Sequence, residues 1–133
     1  MAVAGLDHVN IITDRLDETI AFYTRLIGLE CGVSPATGMG MQGAWLHVPG
    51  GPAIIHLIGH DPARHDVDGI SPGTNTGSFN HVALMCSGFD EVLARVAEMG
   101  LPSKVYDRTF GNARQIFVHD PNNVRVELNF QGE

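Results

Sequence analysis

Residues 78–84 have the sequence SFNHVAL, and they echo residues 5–11, which have the sequence GLDHVNI. Sliding the chain against itself by 73 residues aligns the two segments, and after one residue is lost Gly28 falls on Gly100. A similar apolar pattern at helical spacing follows each segment. The chain therefore predicts a structural unit that occurs twice.

The repeat pairs four side chains that bind metals well. His8 falls on His81 at an offset of 73, and His56 falls on Glu127 at an offset of 71. Three imidazoles and one carboxylate suit a borderline divalent ion such as Zn, Ni, Co, Mn or Fe(II), whereas Ca and Mg prefer oxygen ligands. A lone histidine in a half-apolar strand is more often a core residue than a ligand, but the pairing favours a metal site.

Each repeat predicts the order β-α-β-β-β. In the first, a β-branched run at residues 6–12 precedes a helical pattern that Asp14 is placed to cap. Runs at residues 44–48 and 53–58 then resemble a hairpin. We expect an α+β fold in a single domain spanning 1–133, made of module one (about 5–58), a linker (59–77) and module two (about 78–130).

The last strand indicates which face carries the site. Its apolar residues alternate with Arg125, Glu127 and Asn129, so that Glu127 points away from the apolar face. By the repeat, His56 shares the orientation of Glu127. Pairing across the two hairpins predicts candidate pocket walls, with Trp45 and His47 on the face of His56 and Arg114, Ile116 and Val118 on the face of Glu127.

Composition limits the partners. A formal charge of −7 with eight Lys and Arg argues against nucleic acid or an anionic membrane as a partner. No apolar run reaches the length of a spanning helix and the first residues do not resemble a signal peptide, so we expect a cytoplasmic protein. Cys31 and Cys86 both lie in apolar runs and are predicted to be reduced core thiols.

The number of ligands decides the chemistry. Four protein ligands leave two open positions on an octahedral ion, which a substrate with adjacent oxygens can fill. Without His56, two histidines and one carboxylate form the face that activates O₂ on Fe(II). Another cluster, His60, Asp61, His65 and Asp66, lies in the predicted linker, where we expect a solvated loop rather than ligands.

Several motifs together resemble the vicinal-oxygen-chelate superfamily, which includes glyoxalase I, extradiol dioxygenases, methylmalonyl-CoA epimerase, fosfomycin-resistance enzymes and bleomycin-binding proteins. The likeness covers nearly the whole chain. Its carriers are the segments LDHV at 6–9, IAFY at 20–23, LIGL at 26–29, FNHVA at 79–83, HDPN at 119–122 and VEL at 126–128.

This resemblance implies two βαβββ modules that form a mixed-sheet cup around a divalent metal, usually in a homodimer. It implies that His8, His81 and Glu127 are ligands and that Glu127 can act as the catalytic base. Many glyoxalases and epimerases carry Glu or Gln at the position of His56, so a ligand is expected there. Fosfomycin enzymes often carry Thr at the position of Asn10, which becomes a candidate substrate-binding residue beside Trp45 and Arg114.

The branches of the family differ in fit. The Arg that follows the first His in bacterial glyoxalase I is absent here. Ring-cleaving dioxygenases carry a His and a Tyr where this chain has Pro52 and Phe117, although Tyr106 and Gln115 offer polar groups. We therefore predict a metal-dependent lyase or isomerase acting on a small substrate with vicinal oxygens. The alternatives are an Fe(II) dioxygenase and a non-enzymatic drug-binding protein of the bleomycin-resistance kind.

Overall fold

The computed structural model describes residues 2–66, 71–109 and 111–133. Met1, residues 67–70 of the predicted linker and Phe110 lie outside the described residues. The strands are β1 (Val9–Thr13), β2 (Glu30–Val33), β3 (Gly43–His47), β4 (Ala53–Gly59), β5 (Val82–Cys86), β6 (Lys104–Asp107), β7 (Arg114–His119) and β8 (Arg125–Phe130).

Helices connect the first strands of each repeat to the rest. Helix α1 (Leu16–Ala21) continues into a π-helix (Phe22–Ile27), and α3 (Phe89–Glu98) holds the equivalent place in the second repeat. A 3₁₀-helix (Pro35–Met39) follows β2, and α2 (Pro62–His65) lies in the predicted linker. No helix in the described part of the chain has the length and apolar character that a membrane crossing requires.

The chain divides into two compact units, one made of Met1–Thr24 and Gly28–Pro72 and the other of Arg25–Ile27 and Gly73–Glu133, and the boundary between Pro72 and Gly73 falls inside the predicted linker. One sheet has the order β1-β4-β3-β2 and the other β5-β8-β7-β6. In both, the first and last strands of the repeat pair in parallel, with Asn10 opposite His56 and Ala83 opposite Glu127. These two pairs are related by the offsets of 73 and 71, so the duplicated βαβββ unit and the α+β fold class are confirmed.

Apolar side chains cover one face of each sheet. In the first unit Leu46, Ile55 and Leu57 are fully buried. In the second, α3 buries Phe89, Val92 and Val96, and Phe89 packs edge-to-face on Phe130 of β8 with ring centroids 5.2 Å apart. Leu93, next to Val92 on this helix, is only partly buried. The opposite face of each sheet is left for polar residues.

Two local predictions are wrong. Asp14 does not cap α1, because Thr13 Oγ1 accepts the Arg15 amide at 2.8 Å while the Asp14 carboxylate accepts a bond from His60 Nδ1 at 2.8 Å. Both cysteines are free, but only Cys86 is partly buried, and burial raises the pKa of its thiol to about 11. Cys31 is exposed because β2 is the last strand of its sheet.

Candidate metal centre

Two predicted ligands of the second unit lie side by side. His81 immediately precedes β5, which pairs with β8, and its Nε2 is 3.0 Å from Glu127 Oε2. The other carboxylate oxygen, Oε1, accepts bonds from Gln115 Nε2 at 2.8 Å and Asn129 Nδ2 at 2.7 Å. The Glu127 side chain is only 12% exposed, so the two amides compensate much of its loss of hydration.

The hydrogen bonds of His81 define which of its ring nitrogens can bind a metal. Nδ1 lies 2.7 Å from Asn80 Oδ1, an amide oxygen that only accepts, so Nδ1 carries the proton. When the ring is neutral, its Nε2 lone pair points at Glu127 Oε2. Two acceptor atoms at this distance require a proton or a metal cation between them. Ligand atoms about 2.1 Å from one ion and at right angles lie about 3.0 Å apart, so the pair fits an ion.

The first unit brings His8 and His56 together in the same way. Their ring centroids are 6.0 Å apart, and Trp45 packs on both, edge-on to His8 at 4.7 Å and stacked on His56 at 4.3 Å. His8 Nδ1 donates to the carboxylate of Asp7. His56 Nε2 is 2.9 Å from the hydroxyl of buried Ser34. Burial and the neighbouring His8 lower the pKa of His56, which favours the neutral ring that binds metals.

The four side chains share one feature. Each has one polar atom held by a neighbouring protein group and a second atom left to bind, as metal ligands require. Asp7 and Asn80, which hold the two first-strand histidines, are themselves equivalent under the offset of 73. Among the described residues, no three His, Cys, Asp or Glu side chains come together as a group that could hold a metal ion, so the structure shows the four predicted ligands as two pairs.

Two of the predicted pocket residues lie on the expected face. Trp45 is opposite His56 in the β3–β4 register, as predicted. Asn10 is opposite His56 in the β1–β4 register and donates from Nδ2 to the His56 carbonyl at 3.2 Å. Asn10 thus links β1 to the middle of β4 beside His56.

Arg114 does not share the face of Glu127, so that prediction is wrong. Phe117 is the residue opposite Glu127, which places Gln115 and His119 beside it and puts Arg114, Ile116 and Val118 on the apolar side. The Arg114 guanidinium lies 3.6 Å from the Phe89 ring centroid and bonds to Asp107 and Asp90, which raise its pKa. Its contacts hold α3 to the sheet.

The linker cluster has a structural role. His60 is bonded through Nδ1 to Asp14 and through Nε2 to Asp66, each at 2.8 Å, and these carboxylates raise its pKa. His65 is buried, and its Nδ1 accepts the Asp61 amide at 2.9 Å. The expectation of a solvated loop is therefore wrong for α2.

The sequence did not predict the residues that hydrogen-bond to the proposed metal ligands Glu127 and His56. Gln115 would have emerged from the correct pairing of β7 with β8, since its alternation with Ile116 places it on the face of Glu127. Ser34 carried no signal, because it lies 22 residues before His56 in a loop rich in Gly and Pro.

Comparison with known proteins shows which protein family this chain is similar to. The model of the Glyoxalase/Bleomycin resistance protein/Dioxygenase superfamily matches residues 5–128. A protein of Arabidopsis thaliana named "Glyoxylase I 4" is 25% identical over 130 residues, which span 95% of this chain and 70% of that protein.

Solved structures share the fold. The fosfomycin resistance protein FosX from Listeria monocytogenes has a TM-score of 0.68 at 20% identity, with 97% of this chain and 94% of that one covered. A glyoxalase/dioxygenase from Nostoc punctiforme has a TM-score of 0.73 at 18% identity, with 98% and 92% covered. A mutant of FosX was crystallised with Mn(II) and 1S,2S-dihydroxypropylphosphonic acid.

Proposed function

We propose that this chain, which belongs to the Glyoxalase/Bleomycin resistance protein/Dioxygenase superfamily, is a divalent-metal-dependent enzyme acting on a small substrate with vicinal oxygens. His8, His56, His81 and Glu127 would hold the ion, which could be Ni, Zn, Co, Mn or Fe. The bound ion would supply a positive charge that stabilises negative charge developing on substrate oxygens.

The observation that carries the proposal is the asymmetric environment of Glu127. Two amide donors hold Oε1 in place, whereas Oε2 faces His81 Nε2 at 3.0 Å. Oε2, once released from the ion, is therefore the atom that would accept a proton from a substrate carbon while the carboxylate stays oriented through Oε1. Proton transfer beside a chelated oxygen is lyase or isomerase chemistry.

The fosfomycin-resistance comparison is consistent with this class of substrate. The ligand crystallised with the FosX mutant carries two adjacent hydroxyl groups and was bound together with Mn(II). At 20–21% identity the comparison supports the fold, and we extend to this chain only the general preference for adjacent oxygens.

An Fe(II) dioxygenase is the second candidate, with His56 outside the metal shell. The Ser34 bond to His56 Nε2 would suit a histidine that moves protons. Against this, Phe117 lies opposite Glu127 with its ring 6.2 Å from that of His81, and a phenyl ring neither donates nor accepts a proton. We therefore favour four ligands, with His56 binding through Nδ1.

The test is metal content by elemental analysis of protein purified without added metal. We expect one Ni, Zn, Co or Mn per wild-type chain, its loss in His56→Ala, and its retention in His47→Ala, which removes a half-buried histidine of the neighbouring strand. Iron retained in both variants, with oxygen uptake on catechols, would replace the proposal with the dioxygenase. Absence of metal from the wild type would replace it with the drug-binding protein.

We also propose that the enzyme works as a homodimer. Large apolar side chains are exposed on end strands of the two sheets, with Val33 83% and Met85 90% accessible, and a second copy would cover such surface. Sedimentation equilibrium should give about twice the chain mass of 14.3 kDa. A mass equal to one chain would reject the dimer.

A further inference from the structure

A pocket of about 420 Å³ opens on the second unit, on the sheet face that carries Glu127, and its size is that of a small-molecule site. Phe117, Lys104, His119 and Arg125 are among its lining residues. Lys104 is opposite Phe117 in the β6–β7 register, and His119 is opposite Arg125 in the β7–β8 register. Their side chains therefore share the face of Glu127.

The charges of this pocket are unusual for so acidic a chain. Five of the eight Lys and Arg residues form ion pairs, whereas Lys104, Arg125 and Arg25 have no carboxylate within ion-pair distance in the described ranges. Two of these three cations line the pocket. A protein with a formal charge of −7 thus keeps two positive side chains without acidic partners at one place.

The guanidinium of Arg125 is also held in position. Its central carbon lies 4.4 Å from the centroid of the Phe117 ring, and Nη1 donates to Asn80 Oδ1 at 3.3 Å. Asn80 is the residue that orients His81, so the cation and the metal ligand share one anchor. The remaining N–H groups of the guanidinium are left to bind an acceptor with two oxygens.

We infer that this pocket binds the carboxylate of an organic acid that has an apolar, flat body. Arg125 and Lys104 hold the carboxylate, and Phe117 and Pro102 contact the body. Arg125 precedes Glu127 by two residues, about 6.6 Å along a strand, so the acid group and the reacting oxygens lie at different ends of the molecule. The inference names the substrate class of the proposed enzyme and in that respect rests on the proposed function.

The test is an NMR titration of the ¹⁵N-labelled full chain, loaded with Zn and again after chelator treatment. The probes are benzoate, its neutral analogue benzamide, and acetate, which lacks the ring. Benzoate should shift the amides of Phe117, His119 and Arg125 in both states and bind more tightly than either other probe. Arg125→Gln and Lys104→Gln should each weaken benzoate binding about tenfold or more, whereas the matched control Arg25→Gln should leave it unchanged.

Three results would overturn the inference: equal binding of benzoate and benzamide, equal effects of Arg125→Gln and Arg25→Gln, or loss of all benzoate binding after chelation, since the carboxylate would then bind only the ion. The two proposals fail separately. If benzoate bound through Arg125 but the wild-type chain bound no metal, only the proposed metal-dependent enzyme would be refuted. If the wild-type chain bound metal but did not bind benzoate, only the carboxylate pocket would be refuted.

Discussion

Gln115 shows how a single residue can set the reactivity of a site without contacting the reacting atoms. Its Nε2 donates to both Glu127 Oε1 and Asn129 Oδ1, and Asn129 in turn donates to the same carboxylate oxygen. This network fixes the plane of the carboxylate and leaves Oε2 facing His81 Nε2. Groups that orient a metal ligand in this way affect metal affinity nearly as strongly as the ligand does.

We expect Gln115→Leu to weaken metal binding by about tenfold to a hundredfold, because the variant keeps the size of the side chain but removes the donor. Competition with a fluorescent chelator would measure the affinity. Gln131→Leu, at an exposed position of the same unit, is the control. Equal affinities in the two variants would mean that Glu127 needs no support from Gln115.

His60 gives a pH dependence of stability. The carboxylates of Asp66 and Asp14 raise its pKa above the ordinary 6.5, so the folded state holds the proton more tightly than the unfolded state. The resulting stabilisation is fully present below pH 6.5 and is lost as the pH rises through the higher folded pKa. Urea unfolding from pH 5.5 to 9 should show a stability difference between wild type and His60→Gln that shrinks with rising pH. A difference that grew with pH would contradict this role.

The residues of the site differed in how far the sequence could identify them. His8 and His81 were predicted because a strand places side chains by a simple alternation and the repeat compares two strands directly. Their Nδ1 partners, Asp7 and Asn80, immediately precede them in the sequence. Adjacency did not predict these hydrogen bonds, because packing decides the rotamer of each side chain. Ser34 depends on the path of a loop, which no periodicity describes.

At the scale of elements, strand pairing was the weakest step of the sequence reasoning. The prediction for β7 was displaced by one residue, and such a displacement moves every side chain to the other face. The turn between β7 and β8 fixes the true register of these two strands, because the buried Asp120 side chain accepts hydrogen bonds from the amides of Asn122 and Val124. Arg114 was assigned to the pocket through this displacement, whereas it packs on Phe89.

The corrected register makes a prediction about stability. Ile116→Ala should lower the free energy of unfolding by about 2–5 kcal/mol, because Ile116 is fully buried on the apolar face. His119→Ala, on the same strand and the opposite face, should change it by about 0.5 kcal/mol or less. Denaturant titrations of both variants would measure the difference. Similar losses in both would contradict the assignment of faces.

At the scale of the whole molecule, the duplication explains why the fold repeats and why each repeat carries two of the four proposed ligands. The same topology and the same parallel register recur in the two units, and each presents two of the proposed ligand side chains on the face that its apolar core leaves free. Repetition is visible in a single sequence because it needs no relatives for comparison. The chemistry is less visible, because the proposed substrate contacts come from positions such as Arg125, whose equivalent in the first repeat is the apolar Ile54.

We propose that His8 and His56 of the first repeat and His81 and Glu127 of the second bind one metal ion. The most direct measurement is a calorimetric titration of Zn into the chelator-treated full chain, for wild type, His8→Ala, Glu127→Gln and the control His119→Ala. We predict one ion per chain for wild type and control, with binding lost both in the first-unit variant and in the second-unit variant. Full binding in either His8→Ala or Glu127→Gln would contradict the claim, since the ion would then need only one unit.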